Sequence, residues 1–360
     1  MTTAEPHRTK AADVAREASR YLDVVEVFAS LDADPHASAR AAHARRAEDR
    51  VTHTPTTNTK GGKQMAELTP LSVWPVAQQL PREQRRHRYL PESSAHPGKM
   101  LPALAREAIR RYSQPGDLVL DPMCGIGTTL VEAVHLDRRA LGVELEPRWA
   151  ALAAGNVLHA ETQGAEGTAI AMRGDARQLG RGLLDQFRGA CTLILTSPPY
   201  GHSTHGHVRK HPDRVEKLNT HYSDNPNNLA HLPDRPGPRT RRPDFDSVVS
   251  EILTGCARML DPKQGRLMLT VRPYRQQGAL VDLPGRLIRL AEQAGLAFAS
   301  REVALLCALR GGDLVPRASF FQLYHQRAGT IPNMLLIAHE DVLIFSRAPQ
   351  PHSNRGGKRR

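Results

Sequence analysis

Two short motifs in the sequence combine residue types that can bind a ligand and act on it. The first reads Asp121-Pro-Met-Cys-Gly-Ile-Gly-Thr-Thr129 and joins a predicted strand to a predicted helix. Its two glycines let the backbone approach a ligand closely, and the start of the helix supplies oriented N–H groups. Glu144 ends the next predicted strand, where a carboxylate is placed to bind ribose hydroxyls. The combination favours a nucleoside site, and a dinucleotide site is disfavoured because Thr128-Thr-Leu130 replaces the expected third glycine.

The second motif, Thr196-Ser-Pro-Pro-Tyr-Gly201, follows another apolar strand. It makes a rigid turn that presents a hydroxyl, an aromatic ring and carbonyls beside residues without N–H groups. The Ser197 hydroxyl and the Pro198 carbonyl can accept hydrogen bonds from a planar amine, while Tyr200 stacks on its ring. Taken alone, the motif would indicate an ordinary proline turn with a packed tyrosine. The first motif is what favours a target site here.

Strands and helices alternate through the chain and must position these motifs. The apolar pattern predicts helices over residues 101–112, 128–135, 147–162, 183–187, 245–260 and 281–294. It predicts strands over residues 118–120, 138–143, 169–172, 191–196, 266–271, 298–306 and 341–346. Such alternation predicts a parallel sheet covered on both faces, with ligands outside the carboxyl ends of its strands.

Composition divides the chain into three parts. Residues 1–70 are polar and poor in aromatics, and we predict a partly helical, otherwise flexible extension. Residues 71–346 form the predicted catalytic domain, interrupted at 201–243 by a segment rich in His, Pro, Asp and Asn. Residues 347–360 carry five basic residues and no acid, which predicts a disordered basic tail.

The charge balance indicates a polyanionic partner, although basicity alone is weak support for nucleic-acid binding. Lys and Arg total 49 against 37 Asp and Glu, giving a net charge of +12 over 360 residues. The mean hydropathy of -0.46 and the lack of a long apolar run argue against a membrane span. The start of the chain lacks the apolar stretch of a secretory signal, so we expect a cytoplasmic protein. Four scattered cysteines exclude a disulfide scaffold and a CxxC motif: Cys124, Cys191, Cys256 and Cys307.

These motifs, in this order, resemble the S-adenosylmethionine-dependent amino-methyltransferases of nucleic acids. That group includes DNA cytosine-N4 and adenine-N6 methyltransferases and tRNA guanine-N2 methyltransferases. The resemblance extends over residues 90–346 and includes residues 95–102, 121–129, 174–175, 197–200 and 339–345. It implies an α/β fold with a Rossmann-like, seven-stranded sheet that is mostly parallel, with the last strand antiparallel and helices on both faces.

The resemblance also implies roles for individual residues, with S-adenosylmethionine as the cofactor. Asp121 and the loop glycines would hold its methionine part, Glu144 its ribose and Asp175 its adenine amine. The implied cofactor-binding residues are His96, Lys99, Asp121, Pro122, Cys124, Gly125, Gly127, Thr128, Glu144 and Asp175. The implied catalytic residues, which hold the target amine, are Ser197, Pro198, Pro199 and Tyr200.

The implied chemistry is direct methyl transfer to an exocyclic nitrogen of a base. Hydrogen bonds to the amine favour a more tetrahedral nitrogen whose lone pair attacks the methyl carbon in line, so positioning supplies much of the acceleration. In a duplex the target base must be flipped out, and it then stacks on Tyr200. The chain has no Pro-Cys dipeptide, which disfavours the cytosine-C5 mechanism, and Cys124 is expected to be packed and not to act as a nucleophile.

Several acceptors remain open. Ser197 favours a DNA cytosine-N4 enzyme, whereas Met123-Cys124 and Gly201 resemble the tRNA guanine-N2 enzymes, so we place DNA ahead of tRNA by a modest margin. A protein glutamine amide is a weaker third acceptor, since those enzymes usually have Asn at position 197. The other classes considered are a catalytically inactive nucleic-acid-binding module of the same fold and, more remotely, a nicotinamide oxidoreductase.

The segment after Tyr200 is the predicted target-recognition insertion. Its cations would position phosphates, and its asparagines or arginines could read base edges; the alternative is a solvated surface loop. The cations are Arg209, Lys210, Arg214, Lys217, Arg235, Arg239, Arg241 and Arg242. Four nearby histidines match no zinc spacing, so no metal site is predicted: His202, His205, His207 and His211. A second basic run at 81–88 suits either phosphate contact or a solvated helix face. The sequence indicates no oligomeric state.

Overall fold

The computed structural model describes residues 71–199, 208–210, 215–217, 223, 225, 227–233, 243–276, 279–317 and 335–349. The strands are β1 Val73–Trp74, β2 Leu118–Asp121, β3 Arg139–Glu144, β4 Thr168–Arg173, β5 Leu193–Thr196, β6 Val208–Lys210, β7 Val215–Lys217, β8 Arg266–Val271, β9 Tyr274–Gln276, β10 Ala279–Val281, β11 Leu296–Leu305, β12 Cys307–Arg310, β13 Asp313–Pro316 and β14 His339–Arg347. The α-helices are α1 Pro81–Arg85, α2 Pro102–Tyr112, α3 Thr128–Val134, α4 Pro147–Thr162, α5 Phe245–Met259 and α6 Leu283–Gln293.

One large sheet organises the fold, in the strand order β1-β11-β14-β8-β5-β2-β3-β4. Strands β4, β3, β2, β5 and β8 run parallel, and β14 pairs antiparallel with both β8 and β11. This arrangement confirms the predicted α/β class and the antiparallel last strand. The eighth strand, β1, is an addition at the edge that was not predicted, because two residues are too short to show an alternating pattern.

Helices cover both faces of the sheet, as predicted. The side chains of β2 alternate between two cores: Leu118 and Leu120 pack in one, and Val119 packs in the other. The first core includes apolar residues of α5 and α6, and the second includes residues of α2, α3 and α4. All four residues of β5 are buried, which explains its uninterrupted apolar sequence.

The structure differs from the sequence prediction mainly in short elements. Residues predicted as a helix over 183–187 form a 3-10 helix, Gly182–Phe187. The antiparallel pairs β9–β10 and β12–β13 were not predicted, because each strand has only three or four residues. The predicted extension at 1–70, most of the insertion and the tail from residue 350 lie outside the described residues. In the described part of the chain, no helix is long and apolar enough to span a membrane.

A buried carboxylate attaches the segment before α2 to the sheet domain. Glu132 of α3 has no exposed surface and accepts hydrogen bonds from Arg88, at 2.7 and 2.8 Å, from Tyr89 Oη at 2.8 Å and from Arg106 Nε at 2.9 Å. Arg88 belongs to the basic run at 81–88, for which the sequence suggested phosphate contact or a solvated helix face. Its guanidinium instead binds the buried Glu132 carboxylate. The contact fixes the chain that leads to His96.

We expect Glu132→Ala to lower the free energy of unfolding by about 3–5 kcal/mol, because it leaves two guanidinium groups without their buried partner. Glu107→Ala is the matched control, since Glu107 pairs with Arg110 and Arg111 on the surface of α2. Its loss should stay below about 1 kcal/mol. Urea unfolding monitored by circular dichroism measures both, and equal losses would contradict a structural role for the Glu132 network.

Candidate functional site

The residues of both sequence motifs meet at one edge of the sheet. Asp121 and Glu144 are the last residues of β2 and β3, and Ser197 follows the last residue of β5. Asp175 lies two residues beyond β4, whose Arg173 pairs with Glu144. Because β2, β3, β4 and β5 are parallel neighbours, their carboxyl ends lie side by side. The topology therefore brings the predicted cofactor and target motifs together.

The loop after β2 is held by the Asp121 carboxylate. Thr129 Oγ1 donates to Asp121 Oδ2 at 2.6 Å, and the Met123 N–H donates to Oδ1 at 3.1 Å. Gly127 has a φ of 79°, and a Cβ there would lie 3.1 Å from the Ala153 Cβ of α4. Only glycine combines this left-handed conformation with such a close approach. The loop thus packs tightly on α4 through Gly127, and Asp121 is buried at its start.

Glu144 closes the same loop from β3. Its carboxylate accepts the N–H of Gly125 at 2.8 Å and the N–H of Glu146 at 2.9 Å. Burial raises the pKa of Glu144 to about 7, although these two hydrogen bonds oppose the shift. Burial likewise raises the pKa of Asp121 to about 6, against the bonds from Thr129 and Met123. Both carboxylates are therefore costly to ionise in this environment.

The two carboxylates have no cationic partner among the described residues. Asp121 is 3% exposed and Glu144 is 8% exposed, yet neither forms a salt bridge in the described part of the chain. Buried ionised carboxylates are stable only when they are paired or fully hydrogen bonded. The arrangement suits a ligand that brings a positive charge and hydroxyl donors to this edge.

His96 and Lys99, predicted to line the cofactor pocket, lie beside the glycine loop. A Cβ on Gly125 would be 3.4 Å from His96 Nε2, and the His96 ring packs edge-on against Trp149 at 4.5 Å. Lys99 Nζ donates to the carbonyl oxygens of Ser94, at 3.2 Å, and of His96. Burial, together with the nearby charge of Arg85, lowers the pKa of Lys99 to about 8. Lys99 thus holds the turn that carries His96.

Asp175 has a structural role that the sequence did not reveal. Its side chain accepts the N–H of Arg177 at 2.9 Å and so caps a 3-10 helix, Ala176–Gln178. The Arg177 guanidinium also binds the carboxylate, and these bonds outweigh burial to lower its pKa. The Asp175 side chain stays 28% exposed, at the same edge as Glu144. Asp175 therefore lies just beyond the end of β4, where it forms an ion pair with Arg177.

Three further residues of the predicted cofactor loop are packed. Pro122 and Thr128 are buried. Cys124 is 5% exposed, and a Cβ on Gly142 of β3 would lie 2.9 Å from its Sγ. Burial raises the pKa of the Cys124 thiol well above its ordinary value, which is unfavourable for a nucleophile. This agrees with the expectation that Cys124 is a small packed residue.

The predicted target motif, Thr196–Gly201, is described as far as Pro199. Ser197 and Pro199 are partly exposed and Pro198 is buried, immediately beyond β5. Tyr200 lies outside the described residues, as do His202, His205, His207 and His211 of the insertion. The cationic side chains predicted for target recognition also lie outside the described part. In the part of the chain that is described, no group of three or more His, Cys, Asp or Glu could hold a metal ion.

One contact beside the candidate site was not predicted from the sequence. Ser223, in the insertion, donates a hydrogen bond from its Oγ to the carboxylate of Glu146, two residues beyond Glu144. His231 Nε2 then donates to the Ser223 carbonyl at 2.7 Å, and Leu229 and Leu232 are buried in the core. No local pattern signals this contact, because Glu146 and Ser223 are distant in sequence. Part of the insertion is therefore anchored beside the candidate site.

Comparison with known proteins gives partial matches to nucleic-acid methyltransferases. Residues 31–154 match the family model described as DNA methylase, which includes the glycine loop and Glu144 but ends before Asp175 and Ser197. The tRNA (guanine(10)-N2)-dimethyltransferase of Methanocaldococcus jannaschii is 35% identical over 111 residues, which is 30% of this chain and 31% of that protein. The Type II methyltransferase M.SmaI of Serratia marcescens is 45% identical over 56 residues, 16% of this chain and 19% of that protein.

The similarity is confined to part of each relative. The chain spans less than a third of the length of the two relatives described, as the 31% and 19% shares show. Among solved structures, TrmN from Thermus thermophilus is 19% identical to this chain, with a TM-score of 0.41. The alignment covers 73% of this chain and 53% of TrmN.

Proposed function

From the match of residues 31–154 to the DNA methylase model, we propose that this chain is an S-adenosylmethionine-dependent methyltransferase that modifies an exocyclic amino group of a nucleic-acid base. The observation that carries the proposal is the meeting of Asp121, Glu144 and Ser197 at one sheet edge. The proposal includes a catalytic domain over 71–346, a recognition insertion over 201–243 and a cytoplasmic location.

The charges and hydrogen-bonding groups at this edge fit S-adenosylmethionine. The cofactor carries an ammonium group, a sulfonium and two ribose hydroxyls, which are the partners that buried, unpaired carboxylates require. Asp121 would hold the methionine part together with the loop glycines, and Glu144 would accept hydrogen bonds from the ribose. When bound, the cofactor supplies an electrophilic methyl group.

The residues after β5 would present the acceptor nitrogen to that methyl group. Ser197 Oγ and the Pro198 carbonyl accept hydrogen bonds from the two N–H groups of the base, while Tyr200 stacks on its ring. These bonds fix the amine and favour a tetrahedral nitrogen with an available lone pair. The reaction needs no covalent intermediate, so the chain acts by orienting the acceptor and excluding water.

DNA is the favoured substrate, with cytosine N4 or adenine N6 as the acceptor. Ser197 supports DNA through the resemblance to cytosine-N4 enzymes, and residues 31–154 match the model described as DNA methylase. The second candidate is guanine N2 of tRNA, which the relative from Methanocaldococcus jannaschii favours. A catalytically inactive nucleic-acid-binding module is the third, and it is disfavoured by the intact cofactor loop and target motif.

The first experiment incubates purified protein with isotope-labelled S-adenosylmethionine and, separately, unmethylated DNA or unmodified tRNA. Digestion to nucleosides and mass spectrometry then identify the product. Labelled N4-methylcytosine or N6-methyladenine from DNA supports the proposal. Labelled N2-methylguanosine from tRNA would show that tRNA, and not DNA, is the substrate. Cofactor binding without label in either pool would overturn both nucleic-acid assignments, and loss of cofactor binding would favour the inactive module.

Cofactor affinity should fall as the pH is lowered through neutrality. Glu144 has a pKa of about 7 in the free protein, and it must be ionised to accept both ribose hydroxyls. Protonation therefore competes with binding below about pH 7, at up to about tenfold per pH unit. Isothermal titration calorimetry of S-adenosylmethionine between about pH 6 and 9 measures this change. Glu144→Gln should bind weakly with a flatter pH profile, and an unchanged profile would contradict the assignment.

A further inference from the structure

A cleft at the opposite edge of the sheet is lined by three arginines. It has a volume of about 400 Å³, and its lining residues are Arg188, Gly189, Arg258, Pro262 and Arg347. Arg258 lies in the last turn of α5, and Arg347 is the last residue of β14. The antiparallel direction of β14 brings Arg347 to the edge where β5 and β8 begin, because Phe345 already pairs with Leu267. The cleft is thus separate from the candidate active site.

The positive charge of this cleft is only partly neutralised by the protein around it. Arg188 pairs with Asp185 at 2.5 Å and donates to the Gly180 carbonyl at 3.0 Å. Within the described residues, Arg258 and Arg347 form no salt bridge, although both side chains are partly buried. No acidic residue lines the cleft. The nearby Asp261 accepts the backbone N–H groups of Lys263 and Gln264, so it is already engaged.

A structural role accounts for Arg188 and Arg258 but not for Arg347. A cation in the last turn of a helix interacts favourably with the helix dipole, which accounts for Arg258. Arg188 is held by Asp185 and the Gly180 carbonyl, whereas Arg347 ends a strand and forms no salt bridge in the described part of the chain. Their meeting with Arg258 creates a concave basic surface, which is the arrangement that binds phosphate oxygens.

We propose that Arg188, Arg258 and Arg347 bind a backbone phosphate of the nucleic-acid substrate, at the sheet edge opposite the target base. This inference rests on the proposed function, because the phosphate belongs to that substrate. The six residues of β8 span about 20 Å, which sets the separation between the two edges of the sheet. A substrate that binds both the cleft and the candidate active site must therefore extend over at least that distance. The site adds affinity without reading sequence, since phosphate contacts carry no base information.

The test uses the full-length protein and fluorescently labelled DNA or tRNA, without cofactor. Arg258→Gln retains most of the aliphatic stem that packs against Gly180, and Arg347→Ala changes a strand end. We expect the double variant to bind nucleic acid about tenfold more weakly at low salt. The slope of log affinity against log salt should decrease by about one to two. The charge-matched control is the double variant Arg289→Ala/Arg310→Ala, which removes two exposed arginines outside the cleft, on α6 and β12.

The outcomes separate this inference from the proposed function. S-adenosylmethionine affinity should be unchanged in the double variant, so a loss of nucleic-acid binding alone supports the phosphate site even if no methyl transfer is found. Equal losses in the Arg289→Ala/Arg310→Ala control would show a net-charge effect and overturn it. Competition by inorganic phosphate for the cleft, with nucleic-acid binding unaffected by the double variant, would assign the cleft to a free anion and also overturn it.

Discussion

Asp121→Asn is expected to weaken S-adenosylmethionine binding by about 10- to 100-fold while leaving the protein at least as stable. The loss corresponds to about 1.4–2.8 kcal/mol, the range for one charge-assisted hydrogen bond. Asparagine matches aspartate in shape and can still pair with Thr129 and Met123, which bind the Asp121 side chain at 2.6 and 3.1 Å. It lacks the negative charge that an ammonium group requires. Calorimetric titration measures the affinity, and methyl transfer should fall with it.

The stability of this variant provides the control. Burial raises the pKa of Asp121 to about 6, so the folded protein is destabilised by its ionisation as the pH rises through that value. Asparagine removes this cost, and the thermal midpoint at pH 8 should equal or exceed that of the parent. The advantage should vanish below about pH 4, where aspartate is protonated in both folded and unfolded states. Parental cofactor affinity, or a large fall in the midpoint at pH 8, would contradict the assigned role.

Tyr200→Ala should reduce methyl transfer by about 10- to 100-fold and leave cofactor affinity unchanged. Stacking of a base on an aromatic ring contributes about 1–3 kcal/mol, and the reaction depends on the orientation of that base. Single-turnover rates with saturating S-adenosylmethionine measure the effect on transfer. Titration with the cofactor alone measures the effect on binding.

Tyr200→Phe is the matched variant because it keeps the ring and removes only the hydroxyl. It should retain most of the activity if stacking is the function of Tyr200. Full activity in Tyr200→Ala would show that the target base lies elsewhere, and parallel losses in both variants would assign the role to the hydroxyl. Loss of cofactor binding in Tyr200→Ala would place the residue in the cofactor site instead.

The sequence by itself determined the regular elements and the order of the motifs. The predicted helix over 147–162 and strand over 266–271 have the observed bounds, Pro147–Thr162 and Arg266–Val271. Both are long enough for local apolar periodicity to specify them. Asp121 and Glu144 were predicted at strand ends for the same reason, because each follows an apolar run in a chain of alternating strands and helices. Parallel neighbours then bring those ends to one edge.

The tertiary structure alone decided which distant side chains meet. The Gly125 N–H donates a hydrogen bond to Glu144, and Ser223 donates one to Glu146, 77 residues earlier in the chain. Arg258 and Arg347 share a cleft only because β14 runs antiparallel to its neighbours. Such contacts depend on strand order and on the packing of helices against the sheet, whereas local periodicity depends only on adjacent residues. That is why the elements could be predicted from the sequence and their contacts could not.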